Sequence, residues 1–513
     1  MVVGMIGAPT DEEVCRMGAK VAADRFDLAD RELFRARLHA CVESLRRLLA
    51  ERRFDGPRES IGLEVELSLA DRDGAPRMVN GEVLARMATR DFQTELGQFT
   101  LEFNMTPRTL AGRVFDDLAE ELRVAFGYAD TVAGEFDANI VMIGVLPTVT
   151  GDELAPTSLS QVDRYMMLND QILAARGERI KVELAGAETL ERSFDSIAPE
   201  SICTSVQFHL QVTPDRFADT WNAAQCVTAA QIAVGANSPF VFGTQLWPET
   251  RPPFFLQATD SRPPELAAQG VRPRTWFGER WIDSVTDLFE ENLRYFPALI
   301  PLRDEEDPLA VLAAGGIPQL SELGLHNGTV YRWNRPVYAV ADGVPHLRVE
   351  NRVLPTGPTA TDTVANAAFY YGLVRALADQ EQPVWHRLPF ATAEENFHTA
   401  CREGIDAELT WPDPDGGGLI TRPAARLIEE TLLPLAASGL DAYGIPATDR
   451  DHYLSVIAER CRRGITGAGW QTRVYHQEVA NGADRRTALS RLVTRYCELA
   501  RTDAPVHSWP IGS

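Results

Sequence analysis

Residues Ile61–Leu69 read IGLEVELSL. In an extended chain alternate side chains share a face, so Glu64 and Glu66 point one way and Val65 and Leu67 the other. Three later stretches repeat the pattern: Phe99–Asn104 (FTLEFN), Val206–Val212 (VQFHLQV) and Leu347–Val353 (LRVENRV). Glu102 stands between Leu101 and Phe103, and His209 between Phe208 and Leu210. Gln207 and Gln211 share the His209 face, and Arg348, Glu350 and Arg352 share another. Alternating acids also occur on half-exposed strands, and a histidine between apolar neighbours is often structural. Four such strands together predict a sheet with carboxylates and one imidazole on its concave side. Such a face repels itself unless cations neutralise it. It is a cage for hard divalent metals and the phosphates they carry.

The strands are spread over almost 300 residues, so long-range pairing must assemble them. That favours one catalytic domain over separable modules, although 513 residues is by length alone about two to four domains. The composition is that of a globular protein, 45% hydrophobic and 24% charged, with a formal charge of −23. Strong acidity argues against nucleic-acid and membrane partners. It leaves anionic substrates open, because metals invert the local field. Lys20 and Lys181 are the only lysines, so phosphate must be held by arginine, backbone or metal. Seven scattered cysteines (Cys15, Cys41, Cys203, Cys226, Cys401, Cys461, Cys497) and no C-x-x-C predict reduced thiols and a cytoplasmic protein. No apolar run approaches the roughly 20 residues of a membrane span.

Between the polar-faced strands the spacing predicts helices over 30–53, 114–135, 163–175, 213–234, 284–295 and 361–377. It predicts further strands over 139–146 and 329–335. Residues 1–29 read as a lead-in, 244–280 as a long loop rich in Pro, Arg and aromatics, and Pro412–Gly418 as a surface loop. Helices follow over 422–439, 449–463 and 482–501. There is no G-x-x-x-x-G-K-[ST], no G-x-G-x-x-G after a strand, no H-E-x-x-H and no G-x-S-x-G.

Several short runs resemble the glutamate–cysteine ligase type 2 (carboxylate–amine ligase) family. They are Gly62–Glu66, Gln98–Phe103, Phe208–Leu210, Ala236–Phe240 with Arg251 following, Thr329–Pro336, Val349–Val353 and Ala393–Gly404. All seven occur in the family's order, over about 60–400. The resemblance implies an α+β, glutamine-synthetase-like fold. An antiparallel sheet forms an active-site funnel, helices pack on its outer face, and the C-terminal segment is helical. It implies an N-terminal lead-in and amphipathic helix (1–55), a ligase catalytic domain (56–420) and a helical segment packed on it (421–513).

The implied chemistry is an ATP-dependent union of glutamate and an amine, by default cysteine, through a γ-glutamyl phosphate. The implied cofactors are ATP and two or three Mg²⁺. Carried over, Glu64, Glu95 and Glu102 hold one metal, and Glu66, His209 and Glu350 hold the metal at the transferred phosphoryl group. Arg352 and Arg335 contact phosphate, and Arg251, Asn237 and Trp333 bind substrate. Glu95 enters only through the resemblance. Glu249-Thr250-Arg251 and Thr466–Gln471 (TGAGWQ) depart from the family pattern, which bears on the choice of amine. Three alternatives stay open: a γ-glutamyl ligase for a non-cysteine amine, an ATP:guanidino phosphotransferase, and a non-catalytic ATP or amino-acid binding protein. A homo-oligomer is also open, and the sequence does not identify the general base.

Overall fold

The computed structural model describes residues 26–54, 56, 59–414 and 416–512. The first 25 residues of the expected lead-in lie outside the described residues. The first described helix, α1 (Leu28–Ala50), is closed at its start by a reciprocal Asp27–Asp30 capping box, and it buries Phe34, Leu38, Cys41, Leu45 and Leu48 on one stripe.

The IGLEVELSL stretch is the centre of the sheet. It forms β1 (Ser60–Ala70), almost wholly buried because both faces are covered. After it come β2 (Phe92–Thr94), β3 (Thr100–Asn104), β4 (Arg108–Thr109) and β5 (Asn139–Val141), with helix α2 (Val114–Gly134) between the last two. A separate hairpin, β6 (Ile180–Ala185) with β7 (Thr189–Phe194), precedes β8 (Val206–Val212). The sheet is completed by β9 (Asn334–Ala341) and β10 (Val344–Asn351). Its order is β9-β10-β8-β1-β3-β2, with β4 and β5 also on β1, and every pair is antiparallel.

The aliphatic face packs on helices. Among them are α2, α3 (Phe217–Cys226), α4 (Thr228–Gly235) and α5 (Ala360–Ala378). The Tyr371 hydroxyl of α5 donates toward the Gly62 and His209 carbonyls at 3.2 and 3.1 Å, which fixes the helix beneath β1 and β8. The chain ends in α6 (Phe390–Glu403), α7 (Leu433–Ala442), α8 (Ala447–Arg463), α9 (Gly467–Ala480) and α10 (Arg485–Ala500).

Several expected elements change. The strand expected over 139–146 stops at Val141, because the Gly144 N–H bonds the Asn237 carbonyl and not a neighbouring strand. The helix expected over 213–234 breaks at Val227, where the Thr228 hydroxyl takes the Gln225 carbonyl. The expected loop over 244–280 contains the helices Arg251–Ala258 and Pro264–Ala268, each with proline in its first turn. The strand expected over 329–335 forms in part, as a short strand Tyr331–Arg332 beside Thr275–Trp276, and β9 then runs on from Asn334 until Asp342-Gly343 turns it back onto β10 with φ of 51° and 76°. The β6–β7 hairpin and α9 were not expected.

Candidate active site

Register decides which acids meet. On β1, Glu66 lies opposite Glu102 of β3, and Gly62 lies opposite His209 of β8. His209 in turn lies opposite Glu350 of β10. Glu64, two residues from Gly62, is therefore the diagonal neighbour of His209. Its Oε1 stands 3.0 Å from His209 Nε2. The Glu66, Glu95 and Glu102 carboxylates form the other group, with oxygens all within 4.8 Å of one another.

This grouping differs from the division the resemblance implies: Glu66 stands with Glu95 and Glu102, and Glu64 with His209. Alternation places both glutamates on one face, but only the β1–β3 and β1–β8 registers say which partner each one meets.

The carboxylates respond to one another and to burial. Burial, and then the Glu64, Glu95 and Glu66 charges, push Glu102 well above the usual carboxylate range. Burial and Glu95 push Glu66 up to about 7, although the Ser205 N–H and hydroxyl and the Gln207 amide donate to it. Glu350 goes the other way. Its burial is outweighed by Arg335 and Arg352, which hold it well below the usual range. Arg335 Nη2 donates to Glu350 Oε2 at 2.8 Å and Arg352 Nη1 to Oε1 at 2.9 Å.

These residues fit a divalent cation. Glu64 Oε1 and His209 Nε2 face each other off hydrogen-bonding angle, and among the described residues neither has another partner. Three buried or half-buried acids within 4.8 Å lack a compensating charge among themselves. The ligand set is oxygen-rich, as Mg²⁺ prefers. Arg348 Nε donates to His209 Nδ1 at 3.1 Å, so the ring proton sits on Nε2. A cation on Nε2 requires that proton to move and Arg348 to turn away.

A cavity of about 210 Å³ opens over this face. Glu64, Glu66, Glu95 and Glu102 line it on one side, with Arg335 and Arg352 beside them. Arg251, Trp333, Tyr331, Phe255, Leu168, Leu325 and Ile300 line other parts. Arg251 is aimed by Glu249 Oε1 (3.1 Å from Nε) and by the Val353 carbonyl. Trp333 packs on Phe397 with ring centroids 5.4 Å apart.

Asn237 is a correction. It is fully buried and does not line the cavity. Its side-chain amide serves Met142, Thr356 and Tyr496, its Oδ1 accepts from Gln471, and its backbone N–H donates to Glu249. It supports Glu249, the partner of Arg251. Charged cavity residues to which the sequence assigned no role include Glu200, Arg164 and Arg332. Glu200 sits in a single 3₁₀ turn, Ala198–Ile202, where no periodicity marks a face.

The arrangement of an antiparallel sheet with metal-ready acids at its face and arginines at its edge defines a class of nucleotide-using ligase folds. The sequence profile of glutamate–cysteine ligase family 2 (GCS2) matches residues 60–490, and the chain belongs to that family. Among solved structures it is similar to the glutamate–cysteine ligase of Francisella tularensis in complex with AMP. That match has a TM-score of 0.54 and 13% identity, over 90% of this chain and 91% of that one. It is also similar to a bifunctional glutathione synthetase from Pasteurella multocida, with a TM-score of 0.49 and 13% identity, over 90% of this chain and 55% of that one. No curated protein sequence matches. The fold is the glutamine-synthetase-like α+β architecture, with the funnel formed by the antiparallel sheet and a helical C-terminal segment.

Proposed function

We propose that the chain is an ATP-dependent carboxylate–amine ligase that forms a γ-glutamyl amide and releases ADP and phosphate. The observation that carries this reading is the cavity wall that sets Glu64, Glu66, Glu95 and Glu102 beside Arg335 and Arg352. Glu66, Glu95 and Glu102 would hold one Mg²⁺, and Glu64, His209 and Glu350 another. Bound there, the cations would neutralise the nucleotide phosphates and polarise the acyl oxygen.

The chain's own part is positioning and charge. Arg352, kept in place by Glu350, presents its remaining N–H groups to the cavity, where a transferred phosphoryl group develops charge. Arg335 holds the other Glu350 oxygen and acts with it. Arg251 receives a substrate carboxylate, and Trp333 closes the wall against water. Cysteine is the default amine. The Glu249-Thr250-Arg251 segment, which departs from the family pattern, favours a different amine as the second reading. No helix among the described residues is long and apolar enough to cross a membrane. The six described cysteines are free thiols, which suits a reducing cytoplasm.

The test is ADP release with ATP, Mg²⁺, glutamate and a panel of amines, read together with product mass. Dependence on both glutamate and an amine supports a ligase. A stable phosphorylated product points to a phosphotransferase, and no turnover with any pair overturns the reading.

A further inference from the structure

Five carboxylates line the cavity, and four of them belong to the metal-ready face. The fifth, Glu200, comes from another element, the turn that leads into β8. It is not part of the 4.8 Å acid group. Its Oε2 is buried and among the described residues has no hydrogen-bond partner. Tyr331 also lines the cavity, held edge-on by Phe255 with centroids 5.1 Å apart. An unpaired carboxylate oxygen in a cavity wall costs free energy until a donor reaches it.

Resting on the ligase reading above, we propose that Glu200 receives the ammonium of the acceptor amine and takes its proton as the amide forms. Of the three substrates, ATP and the reacting glutamate carboxylate are anions that Glu200 repels. The glutamate α-ammonium lies a whole side chain away from the carboxyl group being activated. Glu200 lines the same cavity as Glu66, Glu95 and Arg352, so a nitrogen bonded to it shares that cavity with the carboxyl group being activated. Burial, and then the Glu95 charge, push Glu200 up to about 8 in the empty cavity, so the group turns into the proton-accepting carboxylate only when a positive charge such as the acceptor ammonium stands beside it. In the step, the acceptor ammonium gives one proton to Glu200, and the neutral nitrogen forms the C–N bond. The C–O bond of the acyl phosphate breaks, and phosphate leaves with the electron pair and takes the second nitrogen proton.

Hydroxylamine separates this role from the rest of the chemistry, because it is already a neutral nucleophile at neutral pH. It and ammonium are both small enough for any acceptor pocket. The experiment compares γ-glutamyl hydroxamate formation with amide formation from ammonium and from each amino acid, in the wild type and in Glu200→Gln. The expected result is that Glu200→Gln loses about 100-fold or more with the cationic acceptors. Its hydroxylamine rate should stay within a few-fold of wild type, and Glu200→Asp should recover part of the loss. Retained hydroxamate formation also shows that the variant is folded. Equal losses with both kinds of acceptor, or no loss with either, overturn the assignment. So does a wild type that makes hydroxamate but no amide from any cationic amine. A wild type that makes neither product overturns the ligase reading itself.

Discussion

Glu66 and Glu350 are both buried acids on one face of the sheet, yet their carboxyl groups shift in opposite directions. The difference is the neighbour, another acid for Glu66 and two guanidinium groups for Glu350. Replacing them should therefore have different consequences. Glu64→Ala removes one charge from a crowded acid face and should leave the fold intact while activity falls by about 100-fold or more. Glu350→Ala strands Arg335 and Arg352 and should cost about 3–5 kcal/mol, measured by urea unfolding. Equal stability of the two variants would sink this account. The sign of the pH dependence follows from Glu66. Its value is 4.5 in the unfolded chain and about 7 when folded, so the folded state binds the extra proton between them. The metal-free protein should lose stability as pH rises through that window, by on the order of 3 kcal/mol from this group. Mg²⁺ should raise the melting temperature more at pH 8 than at pH 5. An equal rise at both would show that the acids are not its ligands.

At the scale of elements, α9 and α10 reach the cavity without touching it. Gln471 of α9 donates to Asn237 Oδ1 at 2.8 Å, and the Asn237 N–H donates to Glu249 Oε2 at 2.9 Å. Glu249 Oε1 then holds Arg251, and Tyr496 of α10 shares the Asn237 amide. The divergent TGAGWQ stretch is thus the start of a relay to Arg251, the arginine proposed to bind substrate. Gln471→Ala should raise KM about tenfold for the substrate whose carboxylate meets Arg251, with kcat within about threefold. A fall in kcat with unchanged KM would rule the relay out. Gly467→Ala should destabilise by about 1–3 kcal/mol, because a Cβ there would stand 2.1 Å from Asn237 Oδ1.

None of this relay was legible, since buried amides leave no periodic trace. The four polar-faced strands were legible, because period-2 alternation survives in each stretch alone. Their register was not, because it depends on segments far apart in the chain, so alternation alone does not say which side chains Glu64 and Glu66 meet. The β9–β10 hairpin did carry a signal, the Asp342-Gly343 turn, which correctly read would have placed β9. Glu200 carried none.

On the scale of the whole molecule, the C-terminal helices are bound to the sheet too closely to be an accessory. α5 and α7 cross where Gly372 meets Gly439. A Cβ on Gly372 would stand 2.3 Å from the Ala436 carbonyl oxygen. The next residue back, Tyr371, is the one that bonds the Gly62 and His209 carbonyls. One hydrophobic cluster runs from Cys41 through β1 and α5 to Cys461, and a second runs from Phe34 to Trp509. Each joins the chain's start to its end. Arg460 of α8 is buried in the same layer, paired with Asp362 Oδ1 of α5 at 2.7 Å. Ending the chain at residue 420 would strip α5 of these partners, leave Asp362 without Arg460, and open both clusters to water. The fragment should therefore be insoluble or unfolded, judged by circular dichroism and by the absence of a cooperative melting transition. The full chain with Gly439→Ala, far from the cavity in sequence, should melt several degrees lower, because the crossing cannot close. A fragment that folds and binds Mg²⁺·ATP would show instead that residues 421–513 form a separable unit.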